Sequence, residues 1–121
     1  MIRDRVLKIV LVLSGVLFVA GMIPLIMLFS REPAVAMIMS LYVPMGVFVL
    51  LAVRDPSANR SLIAFAGWAN IAHATVMAVQ EYLHAIQPRE FAGIILFGIF
   101  GIALVVLTPA KKTAERLAAA A

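Results

Sequence analysis

"VLKIVLVLSGVLFVAGMIPLIMLF", residues 6–29, decides the fold. It carries one charge, Lys8, and is longer than the roughly 20 apolar residues a helix needs to cross a bilayer. Three further stretches have the same character, at 34–53, 62–86 and 91–107; the last is the shortest, with glycine its only interruption. Lipid offers a backbone no hydrogen-bond partners, so helices that satisfy their own amides are expected. The links between stretches are short, so neighbouring spans should run antiparallel. The expected fold is all-α, a transmembrane antiparallel four-helix bundle forming one domain over 1–121, with a short basic tail at 108–121.

Composition agrees. Of 121 residues, 64% are hydrophobic and 13% charged, and the mean hydropathy is +1.09. Soluble domains are about 45–50% apolar and about 25% charged, and a chain this short has too little interior to hide the excess. The absence of cysteine removes disulfide frameworks, thiolate metal sites and thiol redox chemistry. With them go the quinone-coupled disulfide-forming enzymes, which share a four-helix membrane build.

The net charge of +4 sits in short clusters beside apolar runs, which suits orientation against anionic headgroups. No nucleic-acid motif accompanies it, and no nucleic-acid partner is expected. Arg3, Arg5 and Lys8, Arg54 and Arg60, and Lys111, Lys112 and Arg116 fall on one side of the four spans. Only Arg31 and Arg89 fall on the other. The positive-inside rule then places both termini and the middle loop in the cytoplasm of a bacterial inner membrane. "MIRDRVLK" with "AVA" (34–36) imitates a cleavable secretory signal, but the apolar run exceeds the roughly 7–15 residues of a signal core. A retained first span is expected.

Helix punctuation separates the spans. Pro33 suits a first helical turn, where its missing N–H would be unpaired anyway. "RDPSANRS" (54–61) offers Asp55 or Ser61 as N-caps. "QPRE" (87–90) reads as a tight turn, and "TPAKKTAERL" (108–117) as a threonine cap, a proline and a short basic helix. The terminal "AAAA" (118–121) carries no functional reading.

Polar residues gather in the third span, within "WANIAHATVMAVQEYLHAIQ" (68–87). At about 100° per residue, Asn70, His73, Met77, Gln80, Glu81, His84 and Gln87 fall within an arc of about 120°. Trp68, Thr75 and Tyr82 fall opposite. Exposing a charge to lipid costs about 2.5–3.5 kcal/mol on insertion scales, so the stripe is expected to face the bundle interior. Asn70, His73 and Met77 lie near the middle of the span, and Glu81, His84 and Gln87 towards the outer face. Any cavity along the stripe is expected to open outwards.

The stripe admits several readings. One is structural, with Asn, His and Gln hydrogen-bonding across helices at about 0.6 kcal/mol each. Another is a ligand or partner site built on Asn70, His73, Met77, Gln80, Glu81 and His84. A third is a haem or copper module using His73, Met77 and His84. The two histidines lie about 16 Å apart at about 1.5 Å per residue, so they cannot share one metal. There is no third histidine, so bis-His haem needs a dimer or Met77 as substitute ligand. "HATVM" (73–77) sets His and Met one turn apart, as a soft metal such as Cu(I) can use. "EYLH" (81–84) has the Glu-x-x-His form of di-iron bundles, which also need acids from other helices; no other span has one. The four-span size matches small dimeric multidrug exporters, yet the first span lacks the membrane-embedded acid that their chemistry requires.

Helix shape adds two expectations. Pro24 and Pro44 each cost a bond to the carbonyl four residues back, which opens space for Tyr42 and Ser40 to line. Ala74 with Ala78, and Gly98 with Gly101, permit close helix approach.

The segment 41–80, through "LLAVRDP", "SLIAF" and "HATVMAVQ", resembles a family of small bacterial four-span membrane proteins known only as a domain of unknown function. The resemblance implies a four-helix membrane protein and supplies no activity or catalytic residue. On architecture alone the chain is also similar to the DoxX-like group. The function expected is a non-enzymatic membrane subunit or binding module that holds a partner, lipid or small ligand along the third-helix stripe. Its surroundings are the lipid bilayer, with a homo-oligomer or larger membrane complex as possible company. No cofactor is specified; the alternatives are the haem or copper module and a small dimeric transporter.

Overall fold

Prolines and glycines set the helix ends. The computed structural model describes residues 2–84 and 90–110. Helix α1 (Ile2–Ala20) breaks at Gly21 and resumes as the short α2 (Met22–Met27). The break falls where Pro24 leaves the Ala20 carbonyl without its usual amide partner. Pro33 opens α3 (Pro33–Ala52), which continues through Pro44. A 3₁₀ turn (Ser57–Asn59) leads into α4 (Arg60–Tyr82), and α5 is Phe91–Leu107. Asp55 caps the turn rather than α4, its Oδ1 accepting from the Ala58 amide at 3.3 Å. No β-strand occurs among the described residues, and the fold is an all-α bundle. The end of the third expected span, most of the 87–90 turn, Gln87, and the basic helix and alanines expected beyond 110 lie outside the described residues.

The helices pair as two hairpins, α1 with α3 and α4 with α5. Each hairpin is locked by a glycine pair at its crossing. A Cβ on Gly15 would meet Leu50 and the Gly46 carbonyl; one on Gly67 would meet Val105 and the Gly101 carbonyl. On the partner helices of these crossings, a Cβ on Gly46 would stand 2.8 Å from the Val19 nitrogen, and one on Gly101 2.9 Å from that of Ile71. Small residues let the backbones touch, the usual means of helix association where lipid supplies no hydrophobic drive. Of the small residues expected at crossings, Gly101 has this role. Gly98 does not, since a Cβ there would find only Ala74 Cβ at 3.9 Å.

The hairpins are two copies of one pattern. Matching Gly15 to Gly67 aligns buried Leu11 with Ile63, Ser14 with Ala66, and Phe18 with Asn70. Matching Gly46 to Gly101 aligns Val49 with Leu104, Leu50 with Val105, and Tyr42 with Phe97. Exchanging α1 with α4 and α3 with α5 also exchanges the two contacts between hairpins, α1 on α5 and α3 on α4. An approximate two-fold along the bundle requires that exchange.

Leu7, Leu11, Val49, Ala52, Ile63, Ala66 and Leu104 form the packed core at the end bearing the N-terminus and the 53–59 connection. Arginines close this end. Arg3 Nη2 donates to the carbonyls of Val106 (3.1 Å) and Thr108 (3.3 Å), and Arg60 Nε to that of Pro109 (3.1 Å). Cationic donors there satisfy carbonyls that the end of α5 leaves free. The outer surface of the helices is largely apolar; Ile9, Leu13, Val16, Phe65, Trp68, Ile99 and Ile102 are among the exposed side chains. Soluble monomers rarely expose contiguous apolar patches beyond a few hundred Å². Three helical stretches, Ile2–Met27, Pro33–Ala52 and Ser57–Tyr82, are long and apolar enough to cross a membrane, and Phe91–Leu107 is shorter.

Candidate functional site

Each of the four long helices delivers one ring to the middle of the bundle. Phe18 comes from α1, Tyr42 from α3, His73 from α4 and Phe97 from α5. Tyr42 is the hub, with ring centroids 5.2 Å from Phe18, 5.2 Å from Phe97 and 5.5 Å from His73. His73 stands edge-on to Phe97 at 5.0 Å, within the 4.5–7 Å range favoured by ring quadrupoles, which is about 0.5–1.5 kcal/mol per pair beyond burial.

Beneath the rings lies a polar pair. Asn70 is fully buried; its Oδ1 accepts from the Tyr42 hydroxyl at 3.3 Å, and its Nδ2 donates to the Ala66 carbonyl at 2.7 Å. A buried amide left unpaired would cost about 1–3 kcal/mol, so the Tyr42 contact fixes how α3 sits on α4.

The expected stripe divides. Asn70 is buried, and His73, Met77 and Glu81 are partly buried and face the bundle. Met77 lies towards α5, where its Cε would stand 3.3 Å from a Cβ on Gly93. Glu81 Oε2 is shielded from solvent and has no hydrogen-bond partner among the described residues. Gln80 and His84 are exposed, contrary to the inward placement read from the helical spacing. Gln80 sits at the rim of the arc. His84 lies beyond the last turn of α4, with a φ of 57°, so helical spacing no longer applies to it. Trp68, Thr75 and Tyr82 face outwards as expected, and the Thr75 hydroxyl satisfies itself on the Ile71 carbonyl at 2.8 Å.

Beside the cluster, at the α1–α2 break, lies an apolar recess of about 270 Å³ lined by Leu17, Phe18, Gly21, Met39, Tyr42 and Phe97 among others. None of its lining residues belongs to α4, so it is not a cavity along the stripe. Tyr42 does line space opened near Pro24, as expected, while Ser40 lines a separate recess with Leu25 and Phe29. Phe18 and Phe97 were not singled out in the sequence, because one aromatic residue in an aliphatic span has no distinctive spacing. Among the described residues no three His, Asp or Glu side chains converge as a metal site would need.

Fold and site together define a small all-helical bundle, apolar outside, whose long helices fit a membrane protein. The chain belongs to the Family of unknown function (DUF6632), whose family model matches residues 4–116. The resemblance noted over 41–80 therefore extends across nearly the whole chain. Neither the curated proteins nor the solved structures provide a match.

Proposed function

We propose that this chain is a multi-pass protein of a bacterial inner membrane that acts without catalysis, as a subunit or binding module. It holds a small ligand, lipid or partner at the inward part of the α4 stripe, around Asn70, His73 and Met77. The observation that carries this reading is the convergence of four rings from four helices on the buried Tyr42–Asn70 pair. A bundle held by apolar contacts alone needs no such centre. Both termini and the 53–59 connection face the cytoplasm, because Arg3, Arg5, Lys8, Arg54 and Arg60 share that end. The outward apolar faces are left for lipid or for further subunits.

The chain lacks cysteine, so single cysteines report without background. An impermeant maleimide should label Ser30→Cys in intact spheroplasts and Ala58→Cys only after lysis; the reverse pattern overturns the orientation. Mass spectrometry of the protein from its native membrane should find a compound or subunit that co-purifies with the wild type and is lost from His73→Ala. A preparation in which nothing depends on His73 removes the binding role. A Soret band or stoichiometric copper replaces it with the redox reading.

A further inference from the structure

The offset that aligns α1 with α4 pairs Gly21, at the break after α1, with His73. On the α4 side, the His73 imidazole fills the space against Phe97 and Tyr42, at 5.0 Å and 5.5 Å. On the α1 side, the same two rings with their roles exchanged face Gly21, and the space left there is the recess of about 270 Å³. We propose that this recess binds the flat, apolar ring of a lipid-soluble ligand, which occupies beside Gly21 the place that the imidazole of His73 occupies in the other hairpin. The proposal rests on the reading of the chain as a membrane-embedded binding module and adds to it a second place, apart from the α4 stripe, with a ligand class of its own.

The lining fixes the chemistry. Phe18, Tyr42 and Phe97 supply ring faces and edges, Leu17 adds aliphatic carbon, and Met39 a polarizable thioether, which packs well against aromatic rings. Among the described residues no charged side chain lines the recess, so an ionic headgroup finds no partner there. Tyr42 sits mid-way along α3, so the recess lies at hydrocarbon depth and is entered from lipid rather than water. Its volume is just below the roughly 300–1,000 Å³ of small-molecule pockets, which suits one or two fused rings. Gly21 adds no side chain to the recess. A Cβ there would already stand 2.9 Å from the Phe18 carbonyl and 3.2 Å from Met39 Sδ. A slot for an acyl tail needs no aromatic walls, whereas these walls hold a ring in the companion hairpin.

The test uses full-length protein in nanodiscs with isotope-labelled tyrosine. There are two tyrosines, one lining the recess and one, Tyr82, 83% exposed as an internal control. Naphthalene should shift the Tyr42 ring signals saturably, while Tyr82 moves only in proportion to bulk partitioning. Decane should not displace it. Leu17→Trp, which fills the recess, should weaken the Tyr42 response at least tenfold, and Met39→Phe serves the same purpose should the tryptophan variant not fold. Parallel, unsaturable shifts at both tyrosines overturn the proposal, as does equal displacement by decane or an unchanged response in the filled variants. Such a failure leaves the His73-dependent co-purification intact, whereas a preparation in which nothing depends on His73 removes the binding-module reading itself.

Discussion

Gly46 lies directly against Gly15: a Cβ placed on Gly46 would stand 2.7 Å from the Gly15 carbonyl oxygen and 2.8 Å from Phe18 Cβ. The neighbours are largely backbone, so they cannot turn aside. Gly46→Ala should force α1 and α3 apart and cost about 1–3 kcal/mol, the usual range for overpacking. Gly98→Ala is the control, since its Cβ meets nothing closer than 3.9 Å; it should be neutral or slightly stabilising, because alanine favours helix by about 1 kcal/mol. Thermal unfolding in detergent compares them, and equal effects would remove the crossing from the account.

The Tyr42–Asn70 bond should appear as a coupling energy. Tyr42→Phe strands Asn70 Oδ1, and Asn70→Leu strands the Tyr42 hydroxyl. Each is expected to cost about 0.6–1.7 kcal/mol, the range measured for hydrogen bonds between membrane helices. The double variant should cost less than the two together, by about 0.6 kcal/mol. Strict additivity across the four proteins would mean that the 3.3 Å contact contributes nothing.

His84 holds a left-handed backbone, φ 57°, one residue past the C-cap of α4, a position that glycine usually takes. A side chain there costs about 1–2 kcal/mol. His84→Gly should therefore raise the unfolding midpoint and His84→Val lower it. If His84→Gly instead loses stability together with a co-purifying ligand, the imidazole has a binding role that its exposure does not suggest.

Glu81 Oε2 is buried without a hydrogen-bond partner among the described residues. A stranded polar atom costs about 1–3 kcal/mol. Glu81→Met, similar in length and apolar, should stabilise the bundle by about 1 kcal/mol in chemical denaturation. A clear loss of stability would show that the carboxyl has found a partner.

The fold class was legible because runs this long and apolar leave a backbone few choices but helix, and the helical spacing placed Asn70 inside because one polar amide among apolar neighbours packs inwards. The crossings were not legible. Gly15, Gly46 and Gly67 contribute only by being small, and a glycine in an apolar run looks the same whether or not a backbone lies against it. Arg3 and Arg60 were read for their charge alone, and their bonds to the end of α5 depend on tertiary contacts that spacing does not encode. The helical spacing misplaced His84 because it assumed an unbroken helix to 86, whereas α4 ends at Tyr82. The internal repeat also escaped notice, because its halves share a burial pattern rather than residue identity. Phe18 corresponds to Asn70, and Gly21 to His73.

That last correspondence has a consequence for how the chain can change. A dimer of identical hairpins would have to carry the same side chain on both sides of its axis, so any polar group or gap at the centre would come twice. Joining the halves through the 53–59 connection lifts that obligation. Position 73 can carry an imidazole while position 21 carries nothing, and a substitution on one flank leaves the other as it was. The centre of this bundle is thus free to be lopsided, which a symmetric pair could never be.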